Sequence, residues 1–106
     1  MMMPTQSTGA GRFAAFDLSR VPSPCFVIDE VTLSENLAIL KALGAAAHID
    51  ILLALKAFSM WELAPLISMH LGGCCASGLW EAKRAHARFG GHVSTYAPAS
   101  KPSEID

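Results

Sequence analysis

The residue with the most chemical potential in this sequence is Lys56. It directly follows the apolar run Ile51-Leu52-Leu53-Ala54-Leu55 and precedes Ala57-Phe58. A short apolar run without alternation suits a strand buried on both faces, as in a parallel sheet, and is also compatible with a buried helix. In the strand reading, Lys56 stands at the C-terminal end, where open α/β sheets and barrels gather their active sites. Apolar neighbours disfavour the ammonium form, and the neutral amine can then add to a carbonyl as a Schiff base. The bland alternative is a strand-ending lysine that snorkels to solvent.

Other candidates are less specific. Glu81 opens a helix after a strand end, as a pocket acid or as a first-turn carboxylate that stabilises the helix dipole. Ser77 is either a helix N-cap or a cofactor contact. Tyr96 ends a strand and either meets a ligand or packs as a sheet aromatic. Trp61 and Trp80 are more simply packing residues. Cys74 and Cys75 are adjacent, so on a strand they point to opposite faces and do not share one metal ion. His48, His70, His86 and His92 are scattered, so no metal is expected. The glycine pairs Gly72-Gly73 and Gly90-Gly91 match neither phosphate-binding glycine motif and are expected to close helices.

These residues need elements to hold them. Residues 1–20 lack periodicity and are expected to form a loose tail. Val21-Pro22-Ser23-Pro24 is a rigid, extended entry. Cys25-Phe26-Val27-Ile28 suits a short strand. A capping box at Thr32–Glu35 opens a helix with Leu33, Leu37 and Leu40 on one face and Gly44 as its stop. The strand before Lys56 follows. A second capping box, Ser59–Glu62, opens a helix through Leu63, Leu66, Ile67 and Leu71, with Pro65 in its early turns. Cys74–Ser77 is a short strand, Leu79–Phe89 a helix, and His92–Tyr96 a strand. Ser100–Glu104 looks like one more helix start, so the chain is expected to continue past Asp106. The resulting β-α-β-α-β-α-β order implies a parallel sheet with helices packed on it.

Composition narrows the function classes. The 106 residues carry 8 Lys+Arg against 9 Asp+Glu, a net charge of −1, which argues against an electrostatic nucleic-acid binder. An apolar fraction of 52% with 16% charged residues argues against a disordered chain. The apolar runs are far shorter than the roughly 18 residues of a membrane span. No signal-peptide pattern precedes the three cysteines, so a reducing, cytoplasmic setting is expected.

Four ordered blocks carry a more specific signal. They are Val21-Pro22-Ser23-Pro24-Cys25-Phe26-Val27-Ile28-Asp29-Glu30; Ile51 through Lys56 to Trp61; Ala76-Ser77-Gly78-Leu79-Trp80-Glu81-Ala82; and Phe89-Gly90-Gly91-His92-Val93-Ser94-Thr95-Tyr96-Ala97-Pro98-Ala99. Together they resemble the opening of the carboxynorspermidine decarboxylases. These are pyridoxal-phosphate enzymes on an alanine-racemase-type barrel, related to ornithine and diaminopimelate decarboxylases. The resemblance implies an α/β fold, the N-terminal part of a TIM-like (β/α)8 barrel, over residues 21–106. The first strand would join a separate β domain.

By the same resemblance, Lys56 holds pyridoxal 5'-phosphate, Ser77 and Glu81 lie at the cofactor, and no metal is required. The implied reaction converts carboxynorspermidine to norspermidine, or carboxyspermidine to spermidine, in polyamine biosynthesis. The implied assembly is a homodimer when complete, with this chain inactive alone. Cys75 falls where ornithine decarboxylases carry an aspartate, which favours the carboxynorspermidine branch. Two alternatives stay open: a non-catalytic pyridoxal-phosphate-binding barrel, and a small α/β interaction domain with a structural lysine.

Overall fold

In the computed structural model, residues 11–105 are described. Three strands form one parallel sheet: β1 (Leu52–Ala54), β2 (Gly73–Ala76) and β3 (His92–Thr95), in the spatial order β1-β2-β3. The register places Leu53 beside Cys74 and Cys74 beside Val93; Ala54 lies beside Cys75 and Cys75 beside Ser94. Three α-helices accompany them: α1 (Glu30–Ala47), α2 (Ala64–Ser68) and α3 (Leu79–Phe89). This is the expected α/β alternation. Sequential strand order means that each βα unit steps the same way around the sheet, as barrels require.

Helix α1 starts earlier than the Thr32 capping box predicts. Asp29 is the cap: its Oδ1 accepts from the Val31 and Thr32 N–H groups at 3.0 and 3.1 Å. The Thr32 hydroxyl donates to Asp29 Oδ2 at 2.9 Å, so Thr32 supports the cap from inside the first turn. These bonds, those to Thr32 first, hold the Asp29 carboxyl below its ordinary pKa. Gly44 does not stop the helix. A Cβ there would meet the Ile49 carbonyl oxygen at 3.0 Å, so the glycine permits close packing, and the helix ends at His48 in a left-handed conformation.

The second predicted capping box does not form either. Trp61–Leu63 is a 3-10 turn with no side-chain cap, and α2 begins at Ala64 with Pro65 in its first turn. Proline lacks an N–H and fits only where that donor has no helical partner. Helix α3 matches the expected span, and Gly90 closes it in the left-handed region (φ 66°). The other glycine pair behaves differently. Gly73 begins β2 with φ 157°, and a Cβ there would overlap the His92 carbonyl of β3. Gly73 is therefore a close-approach residue between strands, not a helix cap.

One face of the sheet is covered. Leu55, Ile67, Cys74, Ala76 and Ala85 are at most 1% exposed and share a core with Leu37, Leu63, Ala64 and Phe89. Leu53 and Val93 pack against it from the flanking strands. Each fully buried Leu or Ile contributes roughly 1.5–3 kcal/mol of transfer free energy. The other face carries no helix among the described residues. Leu52 and Leu53 are only half-buried and Ala54 is exposed, so β1 is not the doubly buried strand its apolar run predicts.

Cys25–Ile28 does not form the predicted strand. It runs without ladder partners among the described residues, and Phe26 is 92% exposed. A strand is defined by its neighbour, and apolar composition alone does not supply one. The expected tail over 1–20 lies partly outside the described residues. Its described part holds two 3-10 turns, Gly11–Phe13 and Leu18–Arg20, and Arg12 pairs with Asp29 and Glu35 at 3.6 and 3.5 Å. At the other end, Pro102–Glu104 forms a single 3-10 turn in which Glu104 accepts from the Lys101 N–H at 2.9 Å.

Candidate functional site

Lys56 occupies the turn that closes β1. The Leu55 N–H donates to the Cys75 carbonyl at 3.1 Å, carrying the parallel ladder one residue past the strand. The Ala54 carbonyl then accepts from the Ala57 and Phe58 N–H groups at 3.0 and 3.2 Å, which turns the chain sharply. Leu55 is 1% exposed and anchored in the core, whereas its neighbours Ala54 and Lys56 are exposed. Strand alternation sends Leu53 and Leu55 to the helices and Ala54 to the open face, and Lys56 follows in the turn that closes the strand. Leu55 positions the lysine from behind, a role that the apolar run alone does not reveal.

The same alternation places two further residues. The register row Ala54, Cys75, Ser94 lies on the open face, and two residues onward along the strands come Lys56, Ser77 and Tyr96. The Tyr96 N–H donates to the Ala76 carbonyl at 2.9 Å, so the ladder extends to this point as well. Thus Lys56 and Ser77 lie just past the C-terminal ends of neighbouring strands, with Tyr96 one strand further. Glu81 lies in the first turn of α3, and its Oε2 accepts the Ser77 backbone N–H at 2.7 Å. The carboxylate therefore holds the strand-to-helix corner and favours the helix N-terminus. Ser77 is not the cap of α3, since Gly78 takes that place without a side-chain bond.

The shelter predicted for the lysine is not built by these residues. Lys56 is exposed, as is Ala57 beside it. The primary amine at a strand tip is what covalent attachment of an aldehyde cofactor needs, and the chain supplies that group in an accessible place. A glycine-rich cradle for a phosphate is not formed by Gly72-Gly73, because Gly73 is committed to the β2–β3 approach.

The cysteines divide as predicted: Cys74 is buried and Cys75 half-buried, on opposite faces of β2. Burial, followed by the neighbouring Cys75 thiol, pushes the Cys74 thiol above its ordinary pKa. Among the described residues no group of three His, Cys, Asp or Glu could hold a metal ion, and no helix is long and apolar enough to cross a membrane. A hollow of about 470 Å³ lies at the opposite, N-terminal ends of β1 and β2, beside Asp50, Ile51 and Gly72. There Lys41 Nζ donates to the Met69 carbonyl at 3.0 Å, so its ammonium closes the end of α2.

The strands and their order describe a segment of a parallel βα fold with a lysine at the C-terminal end of β1. Known proteins resemble it. Over 88 residues the chain is 44% identical to the carboxyaminopropylagmatine decarboxylase of Synechocystis sp., covering 83% of this chain and 23% of that protein. It is 35% identical to the carboxynorspermidine/carboxyspermidine decarboxylase of Campylobacter jejuni, over 81% of this chain and 22% of that protein. The Herminiimonas arsenicoxydans counterpart is 33% identical over 81% of this chain and 24% of its own length.

The crystal structure of the C. jejuni carboxynorspermidine decarboxylase, complexed with norspermidine, superposes with a TM-score of 0.77 at 35% identity. The match covers 80% of this chain and 23% of that one. No protein-family model matches the sequence. The chain spans about a quarter of the length of these relatives. Over that stretch it is related in sequence and in fold to the carboxynorspermidine and carboxyspermidine decarboxylases, as its four sequence blocks predict.

Proposed function

We propose that this chain supplies the cofactor-bearing lysine of a pyridoxal-phosphate-dependent decarboxylase acting on carboxylated polyamines. The carrying observation is Lys56: an exposed primary amine at the C-terminal tip of β1, in a sheet whose fold matches a carboxynorspermidine decarboxylase. Bound pyridoxal phosphate supplies an electron sink for the pair released when the substrate's Cα–carboxylate bond breaks. The chain's own residues do the rest. The Lys56 amine holds the cofactor and, once displaced, moves a proton at Cα. Glu81 fixes the corner that carries Ser77, and Ser77 flanks the lysine on the adjacent strand.

The substrate class is carboxynorspermidine or carboxyspermidine, with norspermidine or spermidine as product, and the complete enzyme is a cytoplasmic homodimer. A second substrate, carboxyaminopropylagmatine, is favoured by one observation: the 44% identity to an enzyme of that name exceeds the 35% and 33% identities to the others.

Borohydride reduction of the complete enzyme with pyridoxal phosphate, followed by peptide mass spectrometry, tests this reading. The label is expected on Lys56. Lys56→Ala is expected to lose the label and to lower carbon dioxide release from all three substrates by more than about a hundredfold. The turnover ratio between the triamine acids and the guanidino substrate separates the two substrate readings. A label placed elsewhere, with activity unchanged in Lys56→Ala, overturns the proposal.

A further inference from the structure

Trp61, Trp80 and Tyr96 are the electron-rich aromatic side chains of the described residues, and they are not equivalent. The Arg84 guanidinium lies 5.4 Å from the Trp61 ring centroid, and Lys83 Nζ lies 5.6 Å from that of Trp80. Both cations come from α3, so both indoles are already served from within the fold. Tyr96 is 71% exposed, and among the described residues no cation sits over its ring. It contributes nothing to the core that Phe89 and Trp61 share, where the two rings meet edge to face at 6.1 Å. At a strand tip, beyond the open face, this ring is free to receive a cation.

Register fixes where that ring stands. Ser94 lies on the open face with Ala54 and Cys75, and Tyr96 follows Ser94 by one full pleat. The ladder bond from the Tyr96 N–H to the Ala76 carbonyl keeps the backbone in strand geometry to that point. Lys56, Ser77 and Tyr96 thus follow the ends of three adjacent strands, Lys56 in the turn after β1 and Tyr96 directly after β3. Neighbouring strands are about 4.8 Å apart, so β1, which leads into Lys56, and β3, which leads into Tyr96, run roughly 10 Å from each other. That distance exceeds the reach of one amino-acid headgroup and suits an extended chain with charges spaced along it.

We infer that Tyr96 is a specificity-determining residue: its ring receives a distal ammonium group of the polyamine substrate while the reacting end sits at Lys56. The inference rests on the proposed function and extends it to the substrate's far end. The interaction is a cation–π contact, worth a factor of about 2 to 30 in affinity. The phenol hydroxyl is not required, only the ring face.

Calorimetric titration of the complete enzyme with norspermidine, for wild type, Tyr96→Phe and Tyr96→Leu, tests it. The phenylalanine variant is expected to bind within about twofold of wild type, and the leucine variant more weakly, by up to about 30-fold. Turnover should show the loss in KM with kcat little changed. Borohydride labelling of Lys56, equal in all three proteins, shows that the fold and the lysine site are intact. Equal triamine binding by wild type and Tyr96→Leu, with Lys56 labelled, overturns the role of Tyr96 and leaves the proposed function standing. Failure of Lys56 to take the label, with binding still dependent on the ring, overturns the proposed function and sustains a triamine contact at Tyr96.

Discussion

The two faces of this sheet are built from alternate residues of the same three strands, yet they behave as different materials. Toward the helices lie Leu53, Leu55, Cys74, Ala76 and Val93, a close-packed apolar layer. Toward the open side lie Ala54, Cys75 and Ser94, and past the strand ends follow Lys56, Ser77 and Tyr96: small, polar or reactive, and none buried. A shift of one residue in register would exchange the sets. The first face stabilises the unit, and the second is free of that duty and available for chemistry.

The comparison breaks most severely at the glycine that both faces depend on. Gly73→Ala is expected to destabilise the protein by about 3 kcal/mol or more, because the new Cβ overlaps the His92 carbonyl and must part β2 from β3. A large drop in the urea midpoint checks it. The next effect is confined to the covered face. Ile67→Ala is expected to cost about 2–5 kcal/mol, against less than about 1 kcal/mol for Ser94→Ala on the open face, by the same measurement. Similar costs at both positions would erase the distinction between the faces.

The vicinal cysteines sharpen the comparison with the smallest effect. Iodoacetamide is expected to label Cys75 well before Cys74, whose thiol is buried and held protonated beyond its usual range. Cys74→Ser is expected to cost about 1–3 kcal/mol through the buried hydroxyl, and Cys75→Ser less. The raised Cys74 pKa also carries a sign. The unfolded thiol ionises first, so this contribution is intact below the ordinary thiol pKa and declines as pH rises toward the folded value. In Cys74→Ala the alkaline decline in stability is expected to be shallower than in wild type.

The sequence made the βα alternation legible because Leu79–Phe89 has helical spacing and His92–Thr95 a strand composition. It misplaced what depends on several partners at once. Asp29 and Thr32 are both good caps, and only the three-dimensional turn shows that Asp29 takes the N–H groups and Thr32 supports it. Gly72-Gly73 and Gly90-Gly91 read alike, but Gly90 ends a helix and Gly73 lets two strands touch. Cys25–Ile28 has strand composition and no ladder partner among the described residues. At the site, Lys56 stands at the strand tip as its context predicts. The apolar shelter predicted from its neighbours fails because Leu55 faces the other way, into the core.

That orientation of Leu55 carries a mechanical consequence. The reactive amine is tethered one peptide away from the most tightly held leucine in the molecule, so its backbone inherits the stiffness of the hydrophobic layer behind it. Trimming Leu55, or any side chain that wedges it in place, would loosen the nucleophile's aim without touching the lysine itself.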